Sequence, residues 1–569
     1  MKAKSPRSPM RALRRVSQGV FLALFTWLVL ETGFSESPPQ LLELFFDLDP
    51  LISLSTWLSA RSLAAGSLLA LLTLAATALL GRVFCGWICP LGTVHHIASR
   101  LRPKKRGRAD AEGFSRWQRA KYFLLAALLV MSLFGGHWVG VFDPLSIMCR
   151  SLTTLAFPAA QYLVADGANA VYDADPRLGP LRLTLLTEPA YRFARDDVFR
   201  VNRQTFAGGL PVLAFFVLIV ALNFVRPRFW CRYVCPLGGL LGLFSRRPAL
   251  RLKNDKDACR NCGRCAKTCP AAAQPHEPGK WLPSECFVCW NCAAECRSDA
   301  VAFALESPLT PPAAGRVDLS RRATMAAGVG GVAALAGFRI APETRGEQPF
   351  PSTLLRPPGA RAEREFLQRC IQCGACMRVC PTNALHPSAL EAGLEGLWTP
   401  RMVAKIGYCR QECTLCGQVC PTGAIEHLPL EEKKKVKVGL AAFDVSRCLP
   451  YAYGRECIVC EEHCPLSPKA IYVVPVEVTL RDGSKRVIKQ PRVDADLCTG
   501  CGICEWSCLF QDQAAIRIYS ANESRNAKNQ PILPGPGIPP AAPPAEAAPP
   551  PAGPYGGGET TGAGNASPY

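Results

Sequence analysis

The feature that most constrains this chain is the spacing C-x2-C-x2-C-x3-C-P at residues 370–381. Three thiolates on such a tight loop can each bind one iron of a 4Fe–4S cubane. The fourth, followed by proline, leads away and in paired clusters binds the neighbouring cluster. Gly374 allows the backbone to pass close to inorganic sulfide. The pattern therefore predicts a 4Fe–4S site held by cysteine.

Cysteine usage extends this pattern over much of the chain. Of 29 cysteines in 569 residues, all but five fall into six quartets. A secreted disulfide scaffold would scatter its cysteines through a short chain. A structural zinc site would need two C-x2-C pairs separated by a longer loop. Neither arrangement matches, so the quartets predict six 4Fe–4S clusters, with the iron of these clusters as the metal.

Each quartet is named here after its first cysteine. The predicted ligands are Cys259, Cys262, Cys265 and Cys269 (quartet 259); Cys286, Cys289, Cys292 and Cys296 (quartet 286); Cys370, Cys373, Cys376 and Cys380 (quartet 370); Cys409, Cys413, Cys416 and Cys420 (quartet 409); Cys448, Cys457, Cys460 and Cys464 (quartet 448); and Cys498, Cys501, Cys504 and Cys508 (quartet 498). Only 16 residues separate quartets 259 and 286. This favours one two-cluster fold in which Cys296 crosses to the first cluster and Cys269 to the second.

Four apolar segments predict membrane-spanning helices, namely Val16–Leu30, Ser62–Phe84, Tyr122–Phe142 and Gly208–Val225. Basic residues are concentrated at 1–15 and 92–121, whereas 35–49 is acidic. Because cytoplasmic loops are enriched in Lys and Arg, both basic segments are predicted to be cytoplasmic. Residues 145–206 are then an excursion on the outer side. The net charge of +20 is accounted for by topology, and no nucleic-acid partner is expected.

Two CxxxCP motifs, Cys85–Pro90 and Cys231–Pro236, stand at the cytoplasmic ends of the second and fourth segments. If each is helical, its two cysteines share one face, and the four thiols Cys85, Cys89, Cys231 and Cys235 could meet at the inner membrane surface. They are interpreted as a redox or metal centre or a contact to a nearby cluster. The alternative is a structural thiol pair or a disulfide. Cys149 is assigned no role.

A twin-arginine pair, Arg321 and Arg322, precedes the weakly apolar segment Met325–Phe338. This order is typical of the export route for folded proteins. It suits a domain whose clusters are inserted in the cytoplasm, and it predicts that the last four quartets are periplasmic. The segment could remain as a short anchor. The alternatives are an ordinary arginine pair or a buried Ala/Gly helix.

The predicted fold is a polytopic α-helical membrane domain plus α+β bacterial-ferredoxin-like domains, one with two clusters and one with four. The predicted parts are a cytoplasmic N-terminus (1–15), a four-helix transmembrane domain (16–250), a cytoplasmic two-cluster domain (251–305), a linker with the twin-arginine segment (306–345), a periplasmic four-cluster domain (346–520) and a disordered tail rich in Pro, Ala and Gly (521–569). A β-hairpin is predicted over 471–489, turning at 481–484.

With these motifs in place, the chain resembles two known families joined end to end. Residues 1–305 resemble the NapH/MauN group, with four spans, two CxxxCP motifs and two cytoplasmic 4Fe–4S clusters. Residues 316–515 resemble the NapG/MauM group, with a twin-arginine leader and four periplasmic 4Fe–4S clusters. The resemblance implies a membrane quinol dehydrogenase that feeds periplasmic reductases or maturation systems. By analogy with other four-cluster subunits, quartets 370 and 498 pair, as do quartets 409 and 448.

The expected protein is therefore integral to the bacterial inner membrane. It takes electrons from the quinone pool and passes them to a periplasmic reductase or c-type cytochrome, and its standing as an enzyme in its own right is left open. Two alternatives are an electron-donating maturation factor for a periplasmic redox enzyme and a redox-sensing regulator. Six clusters favour conduction over sensing, since a sensor needs only one.

Electrons crossing this protein would meet a hydrocarbon core of about 30 Å. An intermediate carrier is therefore expected, with the CxxxCP cysteines and bound quinone as candidates. His137 and Asp143, near the outer end of the third segment, are candidate proton acceptors for quinol oxidation. The alternative is a structural role for both, as an interfacial histidine and a helix-boundary Asp-Pro.

Overall fold

The structure is a computed structural model. It describes residues 9–33, 41–62, 66–102, 113–175, 177–178, 181–182, 184–199, 204–277, 279–307, 315, 317, 319–339, 353–479 and 483–526. Several predicted features lie outside these residues. They are the start of the N-terminal segment (1–8), part of the basic loop (103–112), parts of the linker (308–314 and 340–345), the first two hairpin-turn positions (481–482) and the tail from 527.

Residues 9–249 form a helical domain. Its α-helices are Pro9–Glu31, Leu41–Asp47, Pro50–Ala60, Ala70–Leu80, Pro90–Leu101, Ala120–Leu133, Val139–Phe142, Pro144–Ser151, Phe157–Ala174, Thr184–Phe193, Gly209–Ala221, Phe229–Tyr233 and Pro236–Phe244. A two-residue strand pair, Arg177–Leu178 with Leu181–Arg182, lies within the excursion. The acidic segment 35–49 contains a helix, Leu41–Asp47, because Leu42, Phe45 and Phe46 bury one apolar face.

Helix length supports one of the four predicted spans. Within the described part of the chain, only Pro9–Glu31 is long and apolar enough to cross a membrane by length and composition, and the apolar helices Ser67–Leu80 and Gly209–Phe224 are shorter. The predicted third span was wrong as a continuous helix. It ends at Leu133 and resumes at Val139, because Gly135 takes φ +83° between the two helices.

The first cysteine-rich domain covers residues 250–307. Strands Leu250–Asn254 and Val301–Leu305 pair antiparallel along their whole length. Two short helices, Arg264–Lys267 and Asn291–Glu295, pack together above them. This is the α+β arrangement that two closely spaced quartets predict.

The second cysteine-rich domain covers residues 353–526. Its helices are Glu363–Arg369, Ala375–Val379, Leu415–Gln418, Leu430–Lys435, Val459–Glu462 and Ile503–Ser507. Its antiparallel strand pairs are Leu385–Pro387 with Pro400–Met402, Leu440–Phe443 with Ile516–Tyr519, and Ile471–Thr479 with Lys485–Val493. The last pair confirms the predicted hairpin and extends its second strand to Val493.

The two cysteine-rich domains contact opposite ends of the helical domain. In helix Pro9–Glu31, Arg11 pairs with Glu295 of the first domain at 3.0 Å. Near the other end, the Val29 and Leu30 carbonyls accept hydrogen bonds from Arg378 of the second domain. Arg11 and Val29 are 18 residues apart, which corresponds to about 27 Å along a helix.

The twin-arginine segment forms helix Arg321–Phe338, which packs along helix Ala120–Leu133. The packing is close because Gly331 meets the Ala127 backbone, where a Cβ would lie 2.3 Å from the Ala127 carbonyl oxygen. Beyond its C-terminal end, Arg339 donates to the Gly135 carbonyl and pairs with Glu395 of the second domain. The helix therefore leads the chain to the second cysteine-rich domain.

The start of the predicted disordered tail is ordered. Residues 521–526 pack on the second domain, where Arg525 lies 2.6 Å from Glu363 and Ser524 N donates to the Lys437 carbonyl. Glu363 also pairs with Arg356 at 2.5 Å. Burial by itself would raise the pKa of Glu363, but Arg356 and Arg525 outweigh it and lower the pKa to about 2. The boundary at 520 was therefore too early, since this charge pairing is visible only in the folded domain.

Replacing Glu363 tests this buried ion network. Because the folded pKa is about 2 against an ordinary 4.5, the network stabilises the domain above pH 4.5 and loses this effect as pH falls toward 2. Glu363→Gln should lower the unfolding free energy at pH 7 by about 3 kcal/mol. The substitution should also flatten the pH dependence of the unfolding free energy below pH 4.5. Denaturant unfolding at a series of pH values measures both effects.

The matched control for this experiment is Glu365→Gln. Glu365 lies on the same helix and pairs with Arg361 and Arg369, but it is half-exposed. Its loss should cost less than about 1 kcal/mol. Equal effects of the two substitutions would contradict the role given to Glu363.

Candidate iron–sulfur sites

In the first cysteine-rich domain the fourth cysteine of each quartet crosses to the other quartet. Cys269 lies close enough to Cys286 and Cys292 to raise the pKa of both thiols beyond the effect of burial. An apolar cavity of about 310 Å³ is lined by Cys269, Cys286, Cys289 and Cys292. On the other side, Cys296 and Cys259 both raise the pKa of Cys265, after burial.

This arrangement defines two sites. Site 286 consists of Cys286, Cys289, Cys292 and Cys269, and site 259 of Cys259, Cys262, Cys265 and Cys296. Four cysteine thiols around an apolar cavity are a donor set that suits a 4Fe–4S cluster. The crossing of Cys269 and Cys296 is the one expected from the sequence.

The second domain repeats this crossing twice. Beyond burial, Cys420 raises the pKa of Cys370 and Cys373, and Cys380 raises that of Cys409 and Cys416. Site 370 therefore consists of Cys370, Cys373, Cys376 and Cys420. Site 409 consists of Cys409, Cys413, Cys416 and Cys380.

The other two quartets form the second pair. A cavity of about 380 Å³ is lined by Cys448, Cys457, Cys460 and Cys508, which define site 448. Beyond burial, Cys464 raises the pKa of Cys498 and Cys501. Site 498 therefore consists of Cys498, Cys501, Cys504 and Cys464.

The predicted pairing of quartet 370 with 498 and of 409 with 448 was wrong. Quartet 370 pairs with 409, and 448 pairs with 498. Strands Leu385–Pro387 and Pro400–Met402 turn the chain back within a short loop, so that helix Ala375–Val379 packs beside Leu415–Gln418. Helix Val459–Glu462 packs beside Ile503–Ser507 in the same way. Connection length does not explain this pairing, because 27 residues (421–447) separate quartets 409 and 448, fewer than the 28 (381–408) and 33 (465–497) within the observed pairs.

The two pairs touch through sites 409 and 498. The Cys409 N–H donates to the Cys501 carbonyl at 2.8 Å. The Cys501 thiol is also near enough to contribute to the raised pKa of Cys409, behind burial and its closer neighbours. The order of sites in this domain is therefore 370, 409, 498 and 448.

Several crossing cysteines accept a backbone hydrogen bond at sulfur. The N–H groups of Ala273, Ala384, Ile425 and Ala515 lie 3.3–3.4 Å from the sulfurs of Cys269, Cys380, Cys420 and Cys508. Such bonds favour the thiolate form and tune cluster potentials. Each is made by a residue four to seven positions after the crossing cysteine.

Gly374 lies between the second and third cysteines of quartet 370. It adopts φ +82° before helix Ala375–Val379, a conformation that side chains rarely take. A Cβ there would lie 3.5 Å from Arg150 Cα of the helical domain. Glycine is thus favoured by the left-handed turn, whereas a Cβ would make only ordinary van der Waals contact with the neighbouring helix.

The first cysteine-rich domain meets the helical domain through the loop that carries Cys286. A Cβ on Gly86 would lie 2.3 Å from the Phe287 carbonyl oxygen, so the CxxxCP turn packs directly on this loop. Trp87 Nε1 donates to the Val288 carbonyl at 2.9 Å. Glu285 is 1% exposed, accepts from Tyr122 Oη at 2.8 Å and forms an ion pair with Lys121.

The second cysteine-rich domain meets the other end through the loop that carries Cys370. Arg150 Nη1 donates to the Gln372 carbonyl at 2.7 Å. A Cβ on Gly140 would lie 2.0 Å from the Ile371 carbonyl oxygen. Site 286 and site 370 are thus the two sites that border the helical domain.

His137 and Asp143 occupy structural positions. His137 is 1% exposed, with Nε2 2.9 Å from Ser55 Oγ and Nδ1 3.2 Å from the Cys370 carbonyl oxygen. Asp143 is fully buried and caps helix Pro144–Ser151 by accepting from Ser146 N. Both ring nitrogens of His137 are engaged, so the structural alternative fits these two residues.

The four CxxxCP thiols come together inside the helical domain, each at most 8% exposed. The Cys89 thiol is within electrostatic range of the Cys85 and Cys231 thiols. The Cys235 thiol is within electrostatic range of all three of the others. Cys89 and Cys235 precede helices Pro90–Leu101 and Pro236–Phe244, and their sulfurs accept backbone N–H groups at 3.3 Å. These four residues are called the helical-domain thiols below. Cys149 is separate and fully buried, and its thiol is within electrostatic range of Cys373.

Sequence reasoning missed the buried charges around these thiols. Arg82 and Arg228 are 0% and 1% exposed. Arg82 Nη2 lies 3.8 Å from Cys85 Sγ, and Arg228 Nη1 lies 3.5 Å from the Cys85 carbonyl oxygen. A signal was present, since each arginine stands three residues before a CxxxCP motif in the repeat R-x-x-C-x3-C-P-L-G.

Four segments of the chain match three known iron–sulfur families. Residues 369–424 match a 4Fe-4S dicluster domain, and residues 251–297 match another 4Fe-4S dicluster domain. Residues 63–109 and 209–254 each match a 4Fe-4S binding domain. The first match contains quartets 370 and 409 together, as does the observed pairing. These matches support 4Fe–4S clusters in this chain.

Curated relatives cover about a third of the chain. The methylamine utilization ferredoxin-type protein MauM of Methylorubrum extorquens is 38% identical over 203 residues, which is 35% of this chain and 88% of the relative. MauM of Paracoccus denitrificans is 37% identical over 214 residues, 36% of this chain and 89% of the relative. The ferredoxin-type protein NapG of Escherichia coli is 38% identical over 165 residues, which is 29% of this chain and 69% of the relative. No solved structure matches significantly.

The crossed ligand sets can be tested by counting clusters in double variants. Cys420→Ser combined with Cys370→Ser should remove one 4Fe–4S cluster, because both thiols belong to site 370. Cys420→Ser combined with Cys409→Ser should remove or convert two. Mössbauer quantification of the purified chain measures the difference. The reverse result would show that each quartet binds its own cluster.

Proposed function

Because the chain belongs to the MauM/NapG family of ferredoxin-type proteins, we propose that it conducts electrons from the membrane quinol pool to a periplasmic acceptor. The acceptor would be a reductase or a c-type cytochrome. Each of its six 4Fe–4S clusters, when bound, exchanges one electron without other bond changes. The protein's part is to hold these sites in a row and to shield them.

One observation carries this proposal, namely the arrangement of the sites at the two ends of one helical domain. Site 286 borders one end through Phe287 and Gly86, and site 370 borders the other through Gln372 and Arg150. From site 370 the row continues through sites 409, 498 and 448. Such a linear order suits conduction, since a sensor needs only one cluster.

A multi-pass membrane location is part of the same proposal. The supporting features are the concentration of basic residues in the sequence at 1–15 and 92–121 and the apolar helices Pro9–Glu31, Ser67–Leu80 and Gly209–Phe224. Helix Arg321–Phe338 runs from the twin-arginine pair to the second cysteine-rich domain. A cytoplasmic first domain and a periplasmic second domain would place this helix across the membrane.

Reduction by quinol tests the donor. The full-length chain, purified in detergent with its clusters, should be reduced in part by duroquinol, followed by EPR. Cys501→Ser, which removes one thiol of site 498, should leave reduction at site 370 intact. It should slow the delivery of electrons to a soluble c-type cytochrome, because site 448 lies beyond site 498.

Two results would contradict this function. One is a chain that dithionite reduces but duroquinol does not. The other is delivery to the cytochrome at an unchanged rate in Cys501→Ser, which would mean that sites 498 and 448 are not on the route.

The location of the second domain has a separate test. β-Lactamase fused after Leu355 should be active against ampicillin in intact cells, because this enzyme can fold before export and protects the cell only from the periplasm, whereas a fusion after Ser307 should be inactive. Replacing Arg321 and Arg322 by lysine should abolish activity of the Leu355 fusion if the twin-arginine route exports this part. An inactive Leu355 fusion in the unaltered chain would place the second domain in the cytoplasm.

A second candidate is an electron-donating maturation factor for a periplasmic redox enzyme. The observation favouring it is that several relatives carry the name methylamine utilization protein. Both functions use the same row of sites. Deleting the chain from the cell distinguishes the two functions. If the chain is a maturation factor, the partner enzyme purified from the deletion strain is inactive. If the chain only conducts electrons, that purified enzyme is active with an artificial electron donor.

A further inference from the structure

The helical-domain thiols are divided between two distant parts of the chain. Each segment that matches a 4Fe-4S binding domain, 63–109 and 209–254, contains only two cysteines. An iron–sulfur cluster needs four ligands, commonly four thiolates. The fold brings the two motifs together, since Arg228 Nη1 lies 3.5 Å from the Cys85 carbonyl oxygen and a Cβ on Gly238 would lie 2.5 Å from Arg82 Nη2. The thiols of Cys85, Cys89, Cys231 and Cys235 are accordingly within electrostatic range of one another. A cluster here would have to be shared by both motifs.

The two motifs present their thiols in the same local geometry. Cys89 and Cys235 each occupy the position before a helix and are each followed by proline. A Cβ on Gly92 would lie 3.5 Å from the Cys89 Cβ, and a Cβ on Gly238 would lie 3.6 Å from the Cys235 Cβ. The N-termini of the 12-residue and 9-residue helices that follow thus point at the sulfurs. Helix N-termini stabilise negative charge, as on thiolates bound to iron.

The charges around the thiols are an independent indication. Arg82 and Arg228 are buried beside them, and the nearest carboxylate, Glu285, is 3.9 Å from Arg82 and already paired with Lys121. Nε and Nη2 of Arg228 have no hydrogen-bond partner among the described residues. Buried cations need compensating negative charge. Four cysteinates with bridging sulfide would supply it.

The thiols also lie directly beside site 286. The guanidinium groups of Arg82 and Arg228 are 5.1 and 4.9 Å from the ring centre of Phe287, which follows Cys286. Gly86, between Cys85 and Cys89, contacts the Phe287 backbone. On the other side, Cys89 is within electrostatic range of Asp143, which caps the helix that carries Arg150 to site 370.

We propose that Cys85, Cys89, Cys231 and Cys235 together hold one additional iron–sulfur cluster inside the helical domain, positioned to relay electrons between site 286 and site 370. When bound, such a cluster takes up one electron and releases it with no bond made or broken. The relay role rests on the proposed electron-transfer function, whereas the presence of the cluster does not. A cluster shared by both motifs and two separate metal sites predict different losses of iron when cysteines of both motifs are replaced together.

The test counts iron and acid-labile sulfide per full-length chain, purified from membranes in detergent. Cys89→Ser and Cys235→Ser should each lose the same amount of both, and the double variant should lose no more than either. The six ferredoxin-type clusters should remain in the Mössbauer spectrum. Cys149→Ser is the matched control, since it removes an equally buried thiol of the helical domain and should lose nothing.

Two results would overturn the proposal. Unchanged iron and sulfide in both single variants would mean that the thiols hold no cluster. Losses that add in the double variant would mean that each motif binds metal separately. If the variants do not accumulate, the iron and sulfide content of the unaltered chain provides the test. A content equal to six cubanes would exclude a further cluster, and a higher content of both would support it. Quinol plays no part in this count, so a failed quinol reduction would leave it standing.

Discussion

The crossing of the fourth cysteine is the constraint on which both cysteine-rich domains depend. Each site takes three thiols from one tight loop and the fourth from its partner quartet, as Cys420 completes site 370 and Cys380 completes site 409. Neither site of a pair is complete until both loops have folded together. The short strand pairs and helices that connect the quartets serve this exchange, and the two pairs join through the Cys409–Cys501 backbone contact.

The helical domain holds the two sets of sites through backbone contacts at their own ligand loops. Gly86 admits the Phe287 backbone at one end, and Gly140 admits the Ile371 backbone at the other. Buried charges reinforce both contacts, with Glu285 against Lys121 and Arg150 against the Gln372 carbonyl. Because ligand loops rather than distant surfaces are docked, the bordering sites are held at fixed positions relative to the helices. This geometry supports the proposed passage of electrons along the sites in order.

Local patterns predicted more of this protein than long-range ones. The crossing of Cys269 and Cys296 followed from the short interval between their quartets, and the hairpin followed from the β-branched residues of 471–479 and the turn residues at 481–484. The pairing in the second domain was predicted wrongly, because it rested on an analogy with other four-cluster subunits, and the lengths of the connections do not favour the observed pairs. Buried Arg82 and Arg228 went unremarked, although their spacing before each CxxxCP motif repeats in the sequence. Their meaning depends on Phe287 and Glu285, which come from another domain.

The sequence by itself determined the chemistry of this chain, because cysteine spacing reports ligand geometry within a few residues. It also indicated which segments are apolar and where basic residues gather. Only the tertiary structure decided which thiols share a site, where the chain breaks its third apolar segment and which carboxylate meets each buried cation. Those outcomes depend on contacts between residues far apart in the chain. Glu363 with Arg525 is one such contact, and the four helical-domain thiols, gathered from two motifs, are another.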